Sequence, residues 1–373
     1  MTLIQAAVCH GPGESLVLEE IEISKPSLNE VRVTVEACAI CHSDLAYIDG
    51  DWKIDYPVVL GHEVAGKISE IGQGTETDLK IGDRVVVSLI RTCGQCLACQ
   101  RGHHVACTAK LGLHDQNPLK SKLGEKITQG LNTGGFAEEV LVHLSQCVPV
   151  TTNLPVTSAA LLGCGVMTGV GSVVNTAQVT PGSSVVIIGC GGVGVAAIQA
   201  ARISKAKSII AIDPVLSKRK IALDFGATHA VDPDQDLAET VMSATGGYLA
   251  DFVFVTTASP SAITSGSKLL AAMGSLVLVG MPADGVKSEF DPGMIAAQNQ
   301  KILGSKMGTA KPETDIPMMV KFWEKGSLEL ESMVSSVHPL SEIANAIEEI
   351  RGGSVVRTVV CPGDYESGVD ENN

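Results

Sequence analysis

Basic residues are in short supply in this chain of 373 residues. Lys and Arg total 27 against 41 Asp and Glu, a formal charge of −14. A nucleic-acid or anionic-membrane binder needs a basic face, so the balance argues against both classes. Long apolar runs are missing as well. The longest, 185–198, has about fourteen residues and contains four glycines, short of the roughly 18 that a membrane span needs. The opening segment, MTLIQAAVCHGPG, has no basic stretch followed by an apolar one, so no secretory signal is visible and a cytoplasmic location is expected. Aromatic residues make up only 3%, whereas glycine, at 39 residues, is plentiful, a composition suited to tight turns and close backbone approach. Hydrophobic residues reach 45%, enough for a large core, and the length allows two domains. Eleven cysteines is an odd number. Without a secretory signal they read as metal ligands or buried thiols sooner than disulfides.

Two grammars follow one another along the chain. Segments 31–40, 64–72, 82–90 and 134–143 are β-rich, partly alternating and punctuated by Gly and Pro, which predicts an antiparallel, barrel-like assembly. The polar stretch 110–133 is long for a connection and reads as a functional loop. From 184 onward, apolar β-branched runs (184–189, 208–213, 229–231, 251–256, 275–280, 301–305) alternate with helical patterns at 193–204 and 216–225. That predicts a doubly wound parallel sheet. Helices are expected near 316–325 and 340–351, then a last strand at 355–361 that rejoins the first domain. The expected division is residues 1–165 with 307–373, and an inserted unit at 166–306. The polar end, 364–373, is expected to fray.

Three constellations carry chemistry. Cys93, Cys96, Cys99 and Cys107 form C-x2-C-x2-C-x7-C. Four thiolates so spaced can close around one tetrahedral Zn²⁺ with no position left open, a structural site. A four-iron cluster is the rival, since the spacing is ferredoxin-like, but no proline follows the fourth cysteine. His103 and His104 read as solvated. The second constellation is dispersed: Cys41-His42-Ser43-Asp44, Gly61-His62-Glu63 and Gly163-Cys164-Gly165. Cys41, His62 and Cys164 offer two thiolates and an imidazole, the ligand set of a zinc whose fourth position takes water or substrate. Asp44 suits the other ring nitrogen of His62, and can equally be a strand-end cap; Ser43 can pass a proton outward. The third is Gly189-Cys190-Gly191-Gly192-Val193-Gly194, a G-x-G-x-x-G turn between a buried strand and a helix. It suits a dinucleotide pyrophosphate at a helix N-terminus. Asp213, twenty-four residues after Gly189, is placed for the adenosine ribose hydroxyls and favours NAD over NADP, although Lys218, Arg219 and Lys220 are basic neighbours.

Together these residues resemble the zinc-dependent alcohol dehydrogenases of the medium-chain dehydrogenase/reductase superfamily, over nearly the whole chain. The resemblance implies an α/β protein, a Rossmann doubly wound parallel sheet inserted in a GroES-like β-barrel catalytic domain. It implies NAD and two Zn²⁺ per chain: a catalytic zinc at Cys41, His62 and Cys164 with Glu63 nearby, and a structural zinc at Cys93, Cys96, Cys99 and Cys107. It further implies a relay hydroxyl on Ser43, ribose contacts from Asp213 and Lys218, pyrophosphate contacts from His42 and Arg357, and substrate-pocket positions at Trp52, Leu89, Phe136 and Met281. The implied reaction is reversible hydride transfer between a primary or secondary alcohol and NAD. Residues 110–133 resemble the longer insert of dimeric members, so a homodimer is implied. Two positions depart from the family pattern. Ala46 stands where many members have a histidine, so an outer proton path runs through water or the cofactor ribose. Leu111 stands where glutathione-adduct dehydrogenases have an arginine, which argues against that substrate. The alternatives are a zinc-free quinone or enoyl reductase on the same fold, and a non-catalytic NAD- and zinc-binding protein.

Overall fold

The computed structural model describes residues 1–113 and 117–363. The expected fraying of 364–373 therefore lies outside the described residues, as do 114–116 within the 110–133 stretch. The first grammar builds two β structures. Thr2–Cys9, Val17–Ile23, Leu119–Lys120, Lys126–Gln129 and Val58–Val59 close a small barrel. The stretch 110–133 is thus not a free loop: it supplies two of the five barrel strands. Beside it runs a seven-stranded sheet in the order Cys147–Pro149, Arg84–Val87, Glu63–Ile71, Glu30–Ala39, Arg357–Cys361, Val334–Pro339, with Glu139–His143 also paired to Glu30–Ala39.

The central strand Glu30–Ala39 is buried almost throughout although polar residues alternate along it, and its buried Arg32 is met by Glu70 and Glu139. It pairs antiparallel with Glu63–Ile71 in a register that sets Ala39 opposite Glu63. Two irregularities, at Arg32/Val33 and Val35/Ala37, bend the pair. The register brings the end of one strand and the start of the other side by side. Cys41 and His62 therefore leave the sheet as neighbours although twenty-one residues separate them. The last strand, Arg357–Cys361, returns to pair antiparallel with Glu30–Ala39, and so delivers Arg357 to the same region.

The second grammar yields six parallel strands in the order His229–Val231, Ser208–Ile212, Ser184–Ile188, Ala250–Val255, Leu270–Leu278, Lys301–Gly304. Counted along the chain this is 3-2-1-4-5-6, the doubly wound dinucleotide-binding order, with the switch point beside Ser184–Ile188. Both faces are covered. Val186, Ile188, Ile210, Ile212 and Leu276 bury against one layer, whereas Val185, Ile187, Ile209, Phe254 and Val277 bury against the other. Each such side chain contributes about 1.5–3 kcal/mol by leaving water. The strand at 275–280 is longer than its sequence pattern indicates, starting at Leu270, and the helix expected near 316 begins at Pro312. A proline at the first helical position is favourable, because its missing N–H has no partner there anyway.

Between the two halves lie the helical segments Val156–Gly163 and Gly165–Thr176, bent by 55° at Cys164. The pair is buried in the core, and no single helix among the described residues is long and apolar enough to cross a membrane. Its glycines are required by close approach. A Cβ on Gly163 would sit 2.8 Å from the Val87 carbonyl oxygen, and one on Gly169 would sit 2.4 Å from that of Val193. The break at Cys164 thus lies over the sheet that carries His62, and the second segment lies against the nucleotide-turn helix Gly192–Ile203.

Candidate active site and metal centres

All eleven cysteines are free thiols, and six of them fall into the two expected groups. In the first group, the ligand atoms of Cys93, Cys96, Cys99 and Cys107 all lie within 4.8 Å of one another. Measured sulfur–sulfur distances are 4.0 Å for Cys93–Cys99, 3.9 Å for Cys96–Cys107 and 3.7 Å for Cys107–Cys93. Four sulfurs at about 2.3 Å from one ion form a tetrahedron with edges of about 3.8 Å. The spacing fits a single zinc and leaves no room for a four-iron cube. Backbone N–H groups of Gln95 and Cys96 donate to Cys93 Sγ at 3.4 and 3.2 Å. Amide donors from Cys99 and Thr108 bring the Cys96 thiol down to about 6, whereas burial pushes Cys99 up to about 12. The lobe also corrects one expectation. His104 is not simply solvated: its Nδ1 lies 3.0 Å from Glu313 Oε1, whereas His103 is exposed.

The second group is fully buried, with Cys41, His62, Glu63 and Cys164 within the same 4.8 Å limit. Asp44 organises it. As the third residue of helix His42–Ile48, it accepts the Cys41 N–H at 3.0 Å through Oδ2, and the Gly61 N–H at 3.0 Å through Oδ1. The same Oδ1 lies 3.1 Å from His62 Nδ1. The helix-cap role and the imidazole-orienting role thus belong to one carboxylate. A carboxylate can only accept, so Nδ1 keeps a proton and Nε2 is the nitrogen that faces the sulfurs. Nε2 of His62 and Oε1 of Glu63 are buried with no hydrogen-bond partner. Orphaned buried polar atoms beside two thiols are what a metal site presents when its ion is left out of account, and the donor set suits zinc.

The electrostatics agree. The Cys41 thiol lies well below its ordinary value because Cys164 donates a hydrogen bond to its sulfur, with His62 adding to the effect against the opposing cost of burial. The Cys164 thiol is correspondingly well above its ordinary value, as donor to Cys41 and by burial. Burial works against charging His62, but Asp44 and Cys41 together outweigh it and the imidazole is raised. Without metal, the site therefore holds protons on His62 and Cys164 at neutral pH. Zinc must displace them, so its affinity at this site is expected to fall as pH is lowered and to rise with pH, with proton release on binding. Calorimetry of zinc binding in buffers of different ionisation heat reads this directly; an enthalpy independent of buffer contradicts it. An Asp44→Asn variant is expected to bind zinc here about 10–100-fold more weakly, measured by chelator competition.

Glu63 is paired with Arg357, Nη2 to Oε2 at 2.5 Å, with both side chains buried. Burial raises the Glu63 carboxyl to about 7 against the lowering effect of Arg357. For Arg357 burial works the other way and lowers it, but Glu63, Cys41 and Cys164 together raise it. A Cβ on Gly192 would sit 2.3 Å from Arg357 Cδ, and one on Gly165 would sit 2.9 Å from Nη1. The arginine thus runs from the nucleotide turn to the metal group. The family resemblance implies a pyrophosphate contact for it but gives no sign of the pairing with Glu63. The charge on His42 is disfavoured by loss of water around the ring and by Arg357 and Lys218, against the opposing effect of the Cys41 sulfur, so the ring lies near both of those cations.

At the glycine turn, Gly189 has φ of 97°, and a Cβ on Gly194 would sit 1.9 Å from the Gly189 carbonyl oxygen. Gly191 precedes helix Gly192–Ile203, whose first turn includes Val193. Asp213 is buried at the end of the neighbouring strand and accepts the N–H of Cys190 at 2.8 Å and of Val215 at 2.9 Å. Arg219 is occupied: it donates to the carbonyls of Asp213 (2.7 Å) and Pro214 (2.9 Å) and pairs with Asp232 at 2.8 Å. Ser43 lies half-buried in the first turn of helix His42–Ile48. Of the pocket positions, Leu89 is half-buried against the core that includes Cys41 and Cys164. Trp52 Nε1 donates to the Pro282 carbonyl at 3.1 Å, beside the exposed Met281. Phe136 is fully buried in the barrel core against Gly61, one residue before His62.

Residues 27–152 match the family model for the alcohol dehydrogenase GroES-like domain, and residues 192–325 match that for zinc-binding dehydrogenases. Alcohol dehydrogenase B of Mycobacterium tuberculosis is 35% identical over 361 residues, covering 92% of this chain and 94% of that protein. An NDMA-dependent alcohol dehydrogenase of Amycolatopsis methanolica is 32% identical over 364 residues, covering 95% and 98%. The crystal structure of benzyl alcohol dehydrogenase from Acinetobacter calcoaceticus superposes with a TM-score of 0.90 at 31% identity, covering 97% of this chain and 99% of that one. Similarity of this degree along almost the full length, with both cysteine-based ligand sets in place, means that the chain belongs to the zinc-binding alcohol dehydrogenase family of the medium-chain dehydrogenase/reductase superfamily.

Proposed function

We propose that this protein catalyses reversible hydride transfer between a primary or secondary alcohol and NAD. The observation that carries the reading is the buried His62 Nε2, without a partner, among two thiols and beside a glutamate whose charge is met by Arg357. Cys41, His62 and Cys164 would hold the metal. With Glu63 engaged by Arg357, three protein ligands leave one position for an oxygen. When bound, zinc supplies Lewis acidity to an alcohol hydroxyl and NAD accepts the hydride. The chain's own residues do the rest. Asp44 fixes the His62 ring. Ser43 takes the substrate proton and passes it outward, by way of water or the cofactor ribose where Ala46 offers no imidazole. Arg357 brings positive charge, and the His42 ring a hydrogen-bond donor, to the pyrophosphate beside the helix N-terminus at Gly192. Trp52, Leu89 and Met281 line the approach, with Phe136 supporting Gly61 and His62 from behind. The catalytic unit comprises 1–165 and 307–373, and the nucleotide unit 166–306.

NAD is preferred over NADP because the Asp213 carboxylate would face a 2′-phosphate, and the nearby Arg219 is committed to Asp213, Pro214 and Asp232. Removing hydrogen bonds to a charged group costs about 1.5–3 kcal/mol. Asp213→Ala is thus expected to lower kcat/KM for NAD by about 10–100-fold while kcat/KM for NADP holds or rises. An unchanged NAD/NADP ratio contradicts the assignment. The activity itself is tested by NADH absorbance with aliphatic, aromatic and terpenoid alcohols. Turnover with about two zinc per chain supports it. Turnover with no zinc points to a reductase of the zinc-free kind. NAD binding without turnover on any alcohol points to a non-catalytic binder.

A further inference from the structure

Where the nucleotide sheet ends, the chain makes a tight turn, Lys306–Thr309, before helix Pro312–Glu324. Met307, Gly308 and Thr309 there all have positive φ, at 49°, 66° and 52°. Glycine adopts this backbone freely. A non-glycine residue does so at about 1–3 kcal/mol, and only where its surroundings enforce it. The surroundings here come from two sides. From the core, a Cβ on Gly308 would sit 2.6 Å from the Met167 carbonyl oxygen and one on Gly171 would sit 2.5 Å from that of Gly308. Thr176 Oγ1 lies 2.7 Å from Thr309 Oγ1 and 2.8 Å from Ser305 Oγ. From the tetracysteine lobe, the Val105 carbonyl accepts from Lys306 Nζ at 3.2 Å, and His104 pairs with Glu313. The outcome is that the buried Met307 places Sδ 3.4 Å from Cys164 Sγ and 3.6 Å from Thr168 Oγ1.

We infer that Met307 is a positioning residue for Cys164, and that the tetracysteine lobe clamps the turn that carries it. The inference rests on Cys164 being a ligand of the open zinc site, as proposed above. Cys164 stands at the 55° break between two helical segments, where no regular helix backbone confines its side chain. Restraint has to come from outside. A thioether beside Sγ fills the space into which the sulfur could otherwise rotate away from Cys41 and His62. It also has no proton to donate, so it does not draw thiolate charge away from the metal. Thr168 Oγ1, at 3.9 Å from Sγ, is a weaker neighbour that Met307 also contacts. One turn thereby ties the last nucleotide-sheet strand, the tetracysteine lobe and a ligand of the catalytic metal together.

The test compares the wild-type protein, Met307→Ala, Met307→Leu and the double variant Lys306→Met/Glu313→Gln. The zinc of the open site is exchanged for Co²⁺, whose visible absorption reports thiolate geometry, and zinc release to a chromogenic chelator is timed. Met307→Ala is expected to shift the cobalt spectrum and to release open-site zinc about 10–100-fold faster, the size usual for residues that orient metal ligands. Met307→Leu, which keeps the volume, should restore most of both. The double variant, which cuts the contacts of the turn and its following helix to the lobe but leaves Met307 and every ligand intact, should shift both in the direction of Met307→Ala by a smaller amount. Wild-type spectra and release rates in Met307→Ala, or in the double variant, would overturn the inference, even if those proteins melt earlier. A wild-type protein that takes up no cobalt at the open site would instead overturn the zinc reading beneath it.

Discussion

Cys164→Ala is expected to lose alcohol oxidation by about a thousandfold or more while still binding NAD. A Lewis acid contributes several kcal/mol to stabilising the transition state, and each 1.4 kcal/mol is tenfold in rate. The nucleotide turn at Gly189–Gly194 lies on the other side of the Arg357 side chain and does not use the thiol. Zinc content should fall from about two to about one per chain, since Cys93, Cys96, Cys99 and Cys107 are untouched. Steady-state kinetics, NAD fluorescence titration and metal analysis of the same preparation read all three. A variant that retains full activity contradicts the assignment of Cys164. Loss of NAD binding together with activity would indicate a collapsed fold.

Gly194→Val is expected to produce the opposite pattern. Any Cβ at Gly194 would meet the Gly189 carbonyl oxygen at 1.9 Å, a backbone atom that cannot swing aside. The helix Gly192–Ile203 must then move off the strand, and the pyrophosphate seat opens. NAD affinity is expected to fall by at least about 100-fold, roughly 2.7 kcal/mol, with both zinc ions retained. Isothermal titration with NAD and metal analysis check it; near-native NAD affinity with loss of one zinc contradicts it. The two variants thus separate the two halves of the site, each losing the group that the other keeps.

Much of this site was legible from residue type and spacing because its chemistry is local or its motifs are short. The tetracysteine loop closes within fifteen residues, so spacing alone predicts a common ion. The glycine turn is legible because Gly189 and Gly194 answer to steric demands that no other residue meets. The parallel strands were visible because strands buried on both faces leave uninterrupted Val and Ile runs. The catalytic ligands are different in kind. Cys41, His62 and Cys164 share no motif, and their grouping depends on the register that sets Ala39 opposite Glu63 and on the bend at Cys164. Family resemblance supplied what spacing could not.

What stayed hidden had physical reasons as well. Two strands of the small barrel, Val58–Val59 and Leu119–Lys120, are only two residues long, too short to show alternation. That is why 110–133 read as a loop. The Glu63–Arg357 pair joins residues 294 positions apart, and neither sequence context shows that the other is there. The role of His104 was missed because its partner, Glu313, sits on a helix of the far end of the chain. The contact between Met307 and Cys164 leaves no sequence signal, since a methionine at the end of an α/β unit reads as core packing.

Anomalous diffraction at the zinc edge from crystals of the purified protein tests the central claim most directly. The account predicts two peaks per chain. One should be enclosed by four sulfurs in the 93–107 lobe. The other should be held by Cys41, His62 and Cys164, with a non-protein oxygen in its remaining position. A chain with no peak at the second place, or with a fourth protein side chain permanently closing it, would contradict the account.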